Sequence, residues 1–586
     1  MATIRIPSDV WAKTYAHLFT KAGEHFAFFL ASWTQSGGRP VFMVKDVVLI
    51  GDDEVEISRT GWSLSVNAIT RAINMAVRSG CALIEIHNHG GALPRFSRTD
   101  RNGFGEFVPY VLDSLRGRPY GATVWGDSTI YAEYFMPDGA TGVVSSLVVY
   151  GDKLDQWVSR DDDLAVPATR FDRQGAWFTP VGQRKLGRIK VVLAGTGGTG
   201  SPLAQNLVYL GARDFVVIEP DKSDETSMNR LVTASAADVD TPKGILARRL
   251  MKAVAPDAAV RVIAKKLQSA EALDALKGAD VIFGCVDNDG ARVVLNEISL
   301  AYHIPFFDLG VGIEAKDGRV EAAGGRLAAI LPGGPCLYCM SQIDVDEARY
   351  WLSTEEQREF MRRRGYVDGM NVRAPSVVAL NAALAAAAAS EFAVYVSGAR
   401  PVQPLLELDL LGVGRTVKGQ WLTPVRVGCK PGCPACELAG FADKAEIERR
   451  YRREGEQAAS GLLDMLSVLD KLSIMSDQAL GAFLRAARDA KGLSLRDVER
   501  ATDISNAYLS QVESGRIKEP SPNFLFKLAE LYQVDYAELM DLAGYPSPKI
   551  GRRRPESALS RLGPITAEEA GQLSEYLAFL RGRRRG

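Results

Sequence analysis

Between residues 189 and 221 the chain alternates apolar stretches with a glycine turn in a way that leaves few folds open. Ile189-Lys-Val-Val-Leu193 reads as a buried strand, Gly195-Thr-Gly-Gly-Thr-Gly200 as a turn opening a helix, and Phe215-Val-Val-Ile218 as the next strand. Strand, helix and strand in that order predict an α/β domain on a parallel-rich sheet, and the pattern runs from Arg170 to about Ala439. Gly195, Gly197, Gly198 and Gly200 let a backbone approach phosphates, and the following helix N-terminus favours negative charge. Such a turn alone would suggest a dinucleotide, but its neighbours argue for nucleotidyl transfer. Glu219-Pro-Asp221 can hold a ribose, and Ser227-Met-Asn-Arg230, Val239-Asp-Thr-Pro-Lys-Gly244 and Gly284-Cys-Val-Asp-Asn288 follow in order. Arg230 and Lys243 suit a triphosphate and Asp287 suits Mg²⁺, groups that stabilise charge on the α-phosphate and pyrophosphate. Hydride transfer needs none of them.

These motifs resemble the adenylating domain of ubiquitin-activating enzymes and of the ThiF- and MoeB-type activators of sulfur carriers. The resemblance implies a Rossmann-like domain that binds ATP and Mg²⁺: the four glycines cradle ATP, Glu219 and Asp221 meet the ribose, Arg230 and Lys243 bind phosphates, and Asp287 is essential. It also implies a homodimer, because Arg173 in Arg170-Phe-Asp-Arg-Gln174 would reach the γ-phosphate of the partner subunit. A domain that merely binds a nucleotide is the plainer reading. Three positions depart from the family: Glu219 replaces an aspartate, Ser227 an asparagine and Asp240 a glycine. Between Met340 and Gly428 there is no cysteine to form a thioester, Cys285 reads as a small buried side chain, and Cys429 is the spare thiol. Direct transfer of the acyl-adenylate to another acceptor, a separate carrier or a conjugating enzyme is therefore expected. Cys336-Leu-Tyr-Cys339 and Cys433-Pro-Ala-Cys436 read as the two halves of a closed structural zinc site, with Cys429 able to replace one ligand.

The first 158 residues carry a different chemistry. Two of the five histidines, His87 and His89, sit one residue apart, and Ser97 and Asp100 follow. On a strand, residues i and i+2 share a face, so Ala82-Leu-Ile-Glu-Ile86 can deliver both imidazoles to one metal. Asp100 would be the third ligand, leaving a position for water as catalytic zinc does. Glu24, opening the strand-like run to Leu30, is the candidate base, and Ser97 could donate to an oxyanion. A surface loop with a chance histidine pair is the bland alternative. Over about residues 1–150 the run resembles the JAMM/MPN metalloproteases. That resemblance implies His87, His89 and Asp100 as zinc ligands, Glu24 as general base and Ser97 as stabiliser of the intermediate.

A chain of 586 residues predicts three or four domains, with 46% apolar residues, 24% charged and a net charge of −1. We expect a JAMM-like α/β domain at 1–158, the adenylating domain at 165–440, a helical linker at 441–475, an all-α bundle at 476–547 and a basic helical tail at 548–586. Polar Ser159–Asp163 reads as a linker. Ala379–Val396, interrupted by Asn381, Ser390 and Glu391, reads as a packed helix rather than a membrane span. Cysteines in CxxC spacing and the lack of a signal-like start favour the cytoplasm, with no membrane partner. Leu480–Gly492, Ser494–Ala501, Ser505–Gly515, Phe524–Tyr532 and Tyr536–Ala543 predict five short helices. They resemble Cro/XRE helix-turn-helix domains. The resemblance implies a third helix in the major groove, with Asn506, Ser510 and Gln511 at base edges and Arg496, Arg516 and the Arg552–Arg554 run on phosphates. Acidic Glu513 reads as structural, Thr566-Ala-Glu-Glu569 as a helix start, and protein binding is the alternative use of the bundle.

Together the resemblances imply a multidomain α/β bacterial fusion that processes and activates a ubiquitin-like or sulfur-carrier protein ending in Gly-Gly. Such fusions are associated with bacterial ubiquitin-like pathways, some of them antiviral. Two rivals are carrier activation for cofactor or cysteine synthesis, and a DNA-binding regulator whose upstream domains sense ATP or a peptide.

Overall fold

The computed structural model describes residues 2–58, 61–89, 94–126, 129–158, 169–316, 319–355, 358–359, 375–411, 422–452 and most of 480–543. The chain divides into two units, Met1–Ser473 and Ile474–Gly586. The segment Ser159–Asp163 and the tail from 548 lie outside the described residues.

The first unit holds two large sheets. The N-terminal sheet has nine strands in the order Asp155–Val158, Ser146–Tyr150, Thr3–Pro7, Arg39–Leu49, Phe26–Ser36, Ala82–Asn88, Tyr120–Trp125, Ile130–Phe135 and Thr141–Val143. Phe26–Ser36 runs antiparallel to Ala82–Asn88, which runs parallel to Tyr120–Trp125. Every residue of Ala82–Asn88 is buried, because helices cover both faces of the sheet. Helix Ser8–Phe19 packs Val10 and Leu18 on one side; helices Val66–Ser79 and Arg98–Ser114 pack Ala72 and Val111 on the other.

The second sheet has eight strands: Ala259–Ile263, Asp214–Ile218, Lys190–Ala194, Val281–Gly284, Phe306–Lys316, Arg319–Ile330, Leu405–Asp409 and Leu422–Val425. The first five are parallel and the last three pairings antiparallel, so the expected parallel-rich sheet carries an antiparallel arm. The arm begins where Phe306–Lys316 outruns Val281–Gly284, whose last residue pairs with Asp308. Helix Val378–Ser397 is long and apolar enough to cross a membrane by length and composition. Instead Leu384, Phe392 and Tyr395 share a core with the sheet, the packed-helix role expected of the alanine-rich run.

The two sheets are one body rather than beads on a linker. Val41 and Met43 of the N-terminal sheet join a core otherwise built from the second sheet and its helices. Arg5 is buried and donates to the carbonyls of Tyr302, Lys277 and Ala279, at 2.7, 2.9 and 2.6 Å. Burial pulls its guanidinium down to about 10, still charged at neutral pH. Those helix-end carbonyls have no intrahelical partners, and a guanidinium fork satisfies three at once.

The linker expected at 441–475 needs correction at its start. Ala442, Ala445, Ile447 and Tyr451 lie in the core, Arg450 pairs with buried Glu297 at 2.6 Å, and Asp443 accepts from Thr34 at 2.7 Å. Residues 441–452 thus finish the body; 453–479 lie outside the described residues.

In the second unit, helices Leu495–Thr502, Asn506–Glu513, Pro522–Tyr532 and Tyr536–Leu542 follow a first helical stretch starting at Leu480. Leu484, Val498, Leu509, Val512, Leu525 and Leu528 form its core. Ser505 caps the third helix by accepting from Tyr508 N, and Ser521 caps the fourth.

Candidate functional sites

The strand Ala82–Asn88 places His87 against its neighbours and continues directly into His89. Helix Arg98–Ser114 brings the third group. Its Ser97 cap accepts from Asp100 N at 3.2 Å, while Ser97 N donates to Asp100 Oδ2 at 2.6 Å, a reciprocal capping box that fixes Asp100. Asp100 Oδ2 lies 3.8 Å from His87 Nε2 and 3.8 Å from His89 Nε2. The ligand atoms of His87, His89 and Asp100 all fall within 4.8 Å of one another. Both ring nitrogens of His87 are buried without a hydrogen bond, as they would be if a metal took one of them. The set fits zinc. Although burial opposes its charge, Asp100 and Glu85 raise the imidazole of metal-free His87 to about 9.

Glu24 precedes its strand rather than opening it: the strand starts at Phe26, and Gly23 turns the chain at φ +117°. Its Oε1 is 3.5 Å from His89 Nε2. Asn88, which the sequence reading passed over, secures that position. Asn88 Oδ1 accepts from His25 N at 2.6 Å and Asn88 Nδ2 donates to Gly23 O at 3.1 Å, gripping the backbone on both sides of Glu24. A buried amide between two histidines was the available signal.

The second site lies at the carboxyl ends of the parallel strands, where open α/β sheets bind ligands. Gly195 sits at φ +89°, and a Cβ there would stand 2.5 Å from Cys285 O, so only glycine fits. Gly197 opens on free space, while Gly198 packs under Asn381 and Gly200 against the turn itself. Arg230 Cδ lies 3.4 Å from where a Gly198 Cβ would be, and its guanidinium reaches Asn229 and Thr226. Lys243 Nζ stands 3.3 Å from Asp221 Oδ2. Asp287 is exposed just past Val281–Gly284 and accepts from Asn288, whose side chain caps the next helix. Buried Asn381, the polar break in the alanine-rich run, brings its amide against Gly198 of the turn, a contact the sequence did not reveal.

Glu219, the expected ribose residue, also has protein partners. It is buried, accepting from Thr196 N at 2.6 Å on one oxygen and from Asp221 N at 3.0 Å on the other, so it ties the glycine turn to the Asp221 backbone. Burial raises its carboxyl pKa, and those backbone donors oppose the rise. Asp221 remains open to a ligand. Asp240 adopts φ +66°, which explains glycine at that position in the family, and Ser227 Oγ bonds Asp224 Oδ1 at 2.6 Å. Arg173 is exposed on the turn Thr169–Gln174, beside a groove that also exposes Trp177 and Tyr209.

Cys336, Cys339, Cys433 and Cys436 converge, with Sγ separations of 3.6 to 3.7 Å. Tetrahedral zinc–thiolate bonds of about 2.3 Å put sulfurs about 3.8 Å apart, so the four fit zinc with no position left open. Cys429 is exposed outside the four. Burial pushes the Cys285 thiol up to about 12.

In the second unit Ser510, Gln511 and Arg496 are exposed and Asn506 is half-buried; Arg516 lies outside the described residues. Glu513 is structural as expected, accepting a two-pronged contact from Arg488 at 2.7 and 2.9 Å.

Residues 171–418 match the ThiF family and residues 479–542 a helix-turn-helix domain. Among curated relatives, the SAMP-activating enzyme E1 of Haloferax volcanii is 28% identical over 182 residues, 30% of this chain and 64% of that protein. The sulfur carrier protein adenylyltransferase of Thermus thermophilus is 32% identical over 167 residues, 28% of this chain and 58% of that protein. The chain thus spans about three-fifths of the length of these relatives. A crystal structure of E. coli MccB with ATP is 17% identical, covering 46% of this chain and 75% of that one, at TM-score 0.37. Residues 171–418 are thus a ThiF-family domain and residues 479–542 a helix-turn-helix domain.

Proposed function

We propose that this protein adenylates the C-terminal carboxylate of a ubiquitin-like or sulfur-carrier protein and, at a second centre, cleaves that carrier's C-terminal peptide or isopeptide bond. The observation that carries the first reaction is that the Gly195–Gly200 turn with Arg230 beside it, Lys243 beside Asp221, and Asp287 all follow the carboxyl ends of adjacent parallel strands. The carrier's terminal carboxylate oxygen attacks the α-phosphorus of ATP, the bond to the β-phosphate oxygen breaks, and pyrophosphate leaves. Turn N–H groups, Arg230 and Lys243 hold the phosphates, and Asp287 would hold Mg²⁺. The antiparallel arm offers a path for the tail. Gly310 faces Arg326 and Gly312 faces Gly324 across two strands, flooring a groove of about 470 Å³ that a narrow glycine-ended tail fits. Cys285, two residues before Asp287, is buried with its thiol pushed up to about 12 and is unsuited to a thioester, so the adenylate passes to another acceptor, such as a conjugating enzyme or a sulfur donor.

The centre of His87, His89 and Asp100 supports the JAMM-like reading. Zinc bound there would act as a Lewis acid and lower the pKa of a water to about 7. Glu24, held by Asn88, takes the proton of the attacking water and returns it to the leaving amine. Ser97 Oγ accepts from Asp100 N, which leaves its hydroxyl proton for the oxyanion. We assign the exposed face of Asn506–Glu513 to DNA, with salt-dependent affinity, and the groove beside Arg173 to a second copy of the chain. A cytoplasmic place in a bacterial conjugation pathway, some of which are antiviral, follows from this reading.

The test is ATP–pyrophosphate exchange with a carrier ending in Gly-Gly. Exchange should appear with the native chain, vanish in Asp287→Ala and persist in Glu24→Gln. Cleavage of a carrier fused through its C-terminal glycine to a fluorescent amine should show the reverse pattern. Exchange unchanged by Asp287→Ala would overturn the adenylation reading.

A further inference from the structure

We infer that Glu85 is a positioning residue of the His87–His89–Asp100 centre, held in turn by Tyr120. The inference rests on the zinc reading of that centre and concerns the side of His87 turned away from Asp100. Glu85 lies two residues before His87, so both project from the same face of Ala82–Asn88. Tyr120 comes from the neighbouring parallel strand and donates its hydroxyl to Glu85 Oε2 at 2.6 Å. Glu85 Oε1 stands 3.6 Å from His87 Nδ1, while His87 Nε2 faces Asp100. The relay is buried throughout: Tyr120 is 0%, Glu85 9% and His87 2% exposed.

A carboxylate among apolar strand neighbours is costly unless it meets donors and a compensating charge. Tyr120 supplies one neutral donor, and the second oxygen points at an imidazole nitrogen that has no hydrogen bond. Metal on Nε2 settles both needs. The imidazole proton then resides on Nδ1, facing Glu85, and the cation on the far side of the ring balances the carboxylate. Two histidines and one aspartate leave a divalent ion one net positive charge; Glu24 meets it from the partly exposed side, and Glu85 is the buried anion behind His87. Glu85 thus fixes the tautomer and ring angle of His87, so that Nε2 presents its lone pair to the ion. Outer carboxylates of this kind are worth about 10–100-fold in metal affinity.

The experiment counts zinc per full-length chain and measures affinity by competition with a chromophoric chelator. The native chain should hold two ions, with His89→Ala losing one and Cys433→Ser the other. Glu85→Gln keeps the shape and the tyrosine contact but removes the charge; it should weaken the histidine-site zinc about 10–100-fold and leave the cysteine-site zinc unchanged. Tyr120→Phe should weaken the same ion several-fold, and it serves as the test if Glu85→Gln does not fold. The absorption of Co²⁺ at the histidine site should shift in both variants. Native zinc affinity in Glu85→Gln overturns the inference, even with a lower melting temperature of the metal-free chain, because that marks a purely structural carboxylate. A native chain holding only the ion that Cys433→Ser removes would overturn the zinc reading itself.

Discussion

His87, His89 and Asp100 gather within fourteen residues of chain, at the end of one strand and the start of one helix. Cys336, Cys339, Cys433 and Cys436 come from segments 97 residues apart and meet beneath the helix Asp289–Ala301. Both clusters fit zinc, but the local one has mixed ligands, a nearby carboxylate on Glu24 and a missing fourth ligand, whereas the distant one is four thiols with no vacancy. The contrast separates chemistry from architecture. A reacting metal needs an open coordination position and a base beside it, and neighbouring residues on a stiff strand provide both at little cost in order. A clamp gains most from joining remote segments, because it fixes chain that the rest of the fold leaves loosely held.

The sharpest way to break that comparison is to remove one metal at a time. Cys433→Ser should release the clamp and lower the melting temperature of the first unit by 10 °C or more, of the order expected when a structural zinc is lost. His89→Ala should lose its zinc and its peptidase activity while shifting the melting temperature by about 2 °C or less. Calorimetry with zinc counting decides, and equal thermal losses would erase the distinction. A smaller effect is expected within the open site. Asn88→Ala frees the backbone on both sides of Glu24, so turnover of a carrier amide should fall about 10–100-fold while zinc content stays native. Zinc loss in that variant would make Asn88 part of the metal's support rather than the base's. The smallest change is a labelling pattern. Cys285, pushed up to about 12 by burial, stays protonated and unreactive at pH 8. Brief alkylation of the native chain at pH 8 should therefore modify exposed Cys429 and spare Cys285 in the peptide map.

Local chemistry was legible where a motif and its element coincide. The strand before His87 and the turn at Gly195 each follow from residues within a few positions, where alternation and positive φ act directly, whereas the capping box that fixes Asp100 emerged only in the structure. Glu24 was legible as a residue type but not as a neighbour of His89, because the Asn88 grip joins segments 63 and 65 residues apart. Glu219 was legible as a carboxylate but not in its contacts, for a related reason. Its carboxylate type suits a ribose, yet the fold turns both oxygens inward onto Thr196 and Asp221.

From the sequence alone came the parallel sheet with its glycine cradle, the two sets of side chains spaced to hold a metal and the helical bundle at the C-terminal end. Each rests on periodicity and spacing that short-range sterics enforce. Only the tertiary structure decided that the N-terminal and ThiF-family parts form one body. Arg5 satisfies three helix-end carbonyls about 270 to 300 positions away, Val41 and Met43 enter the other sheet's core, and residues 441–452 complete that core rather than link domains. Burial of shared apolar surface and of a fully bonded charge depends on which surfaces meet, and no local pattern in the chain records that.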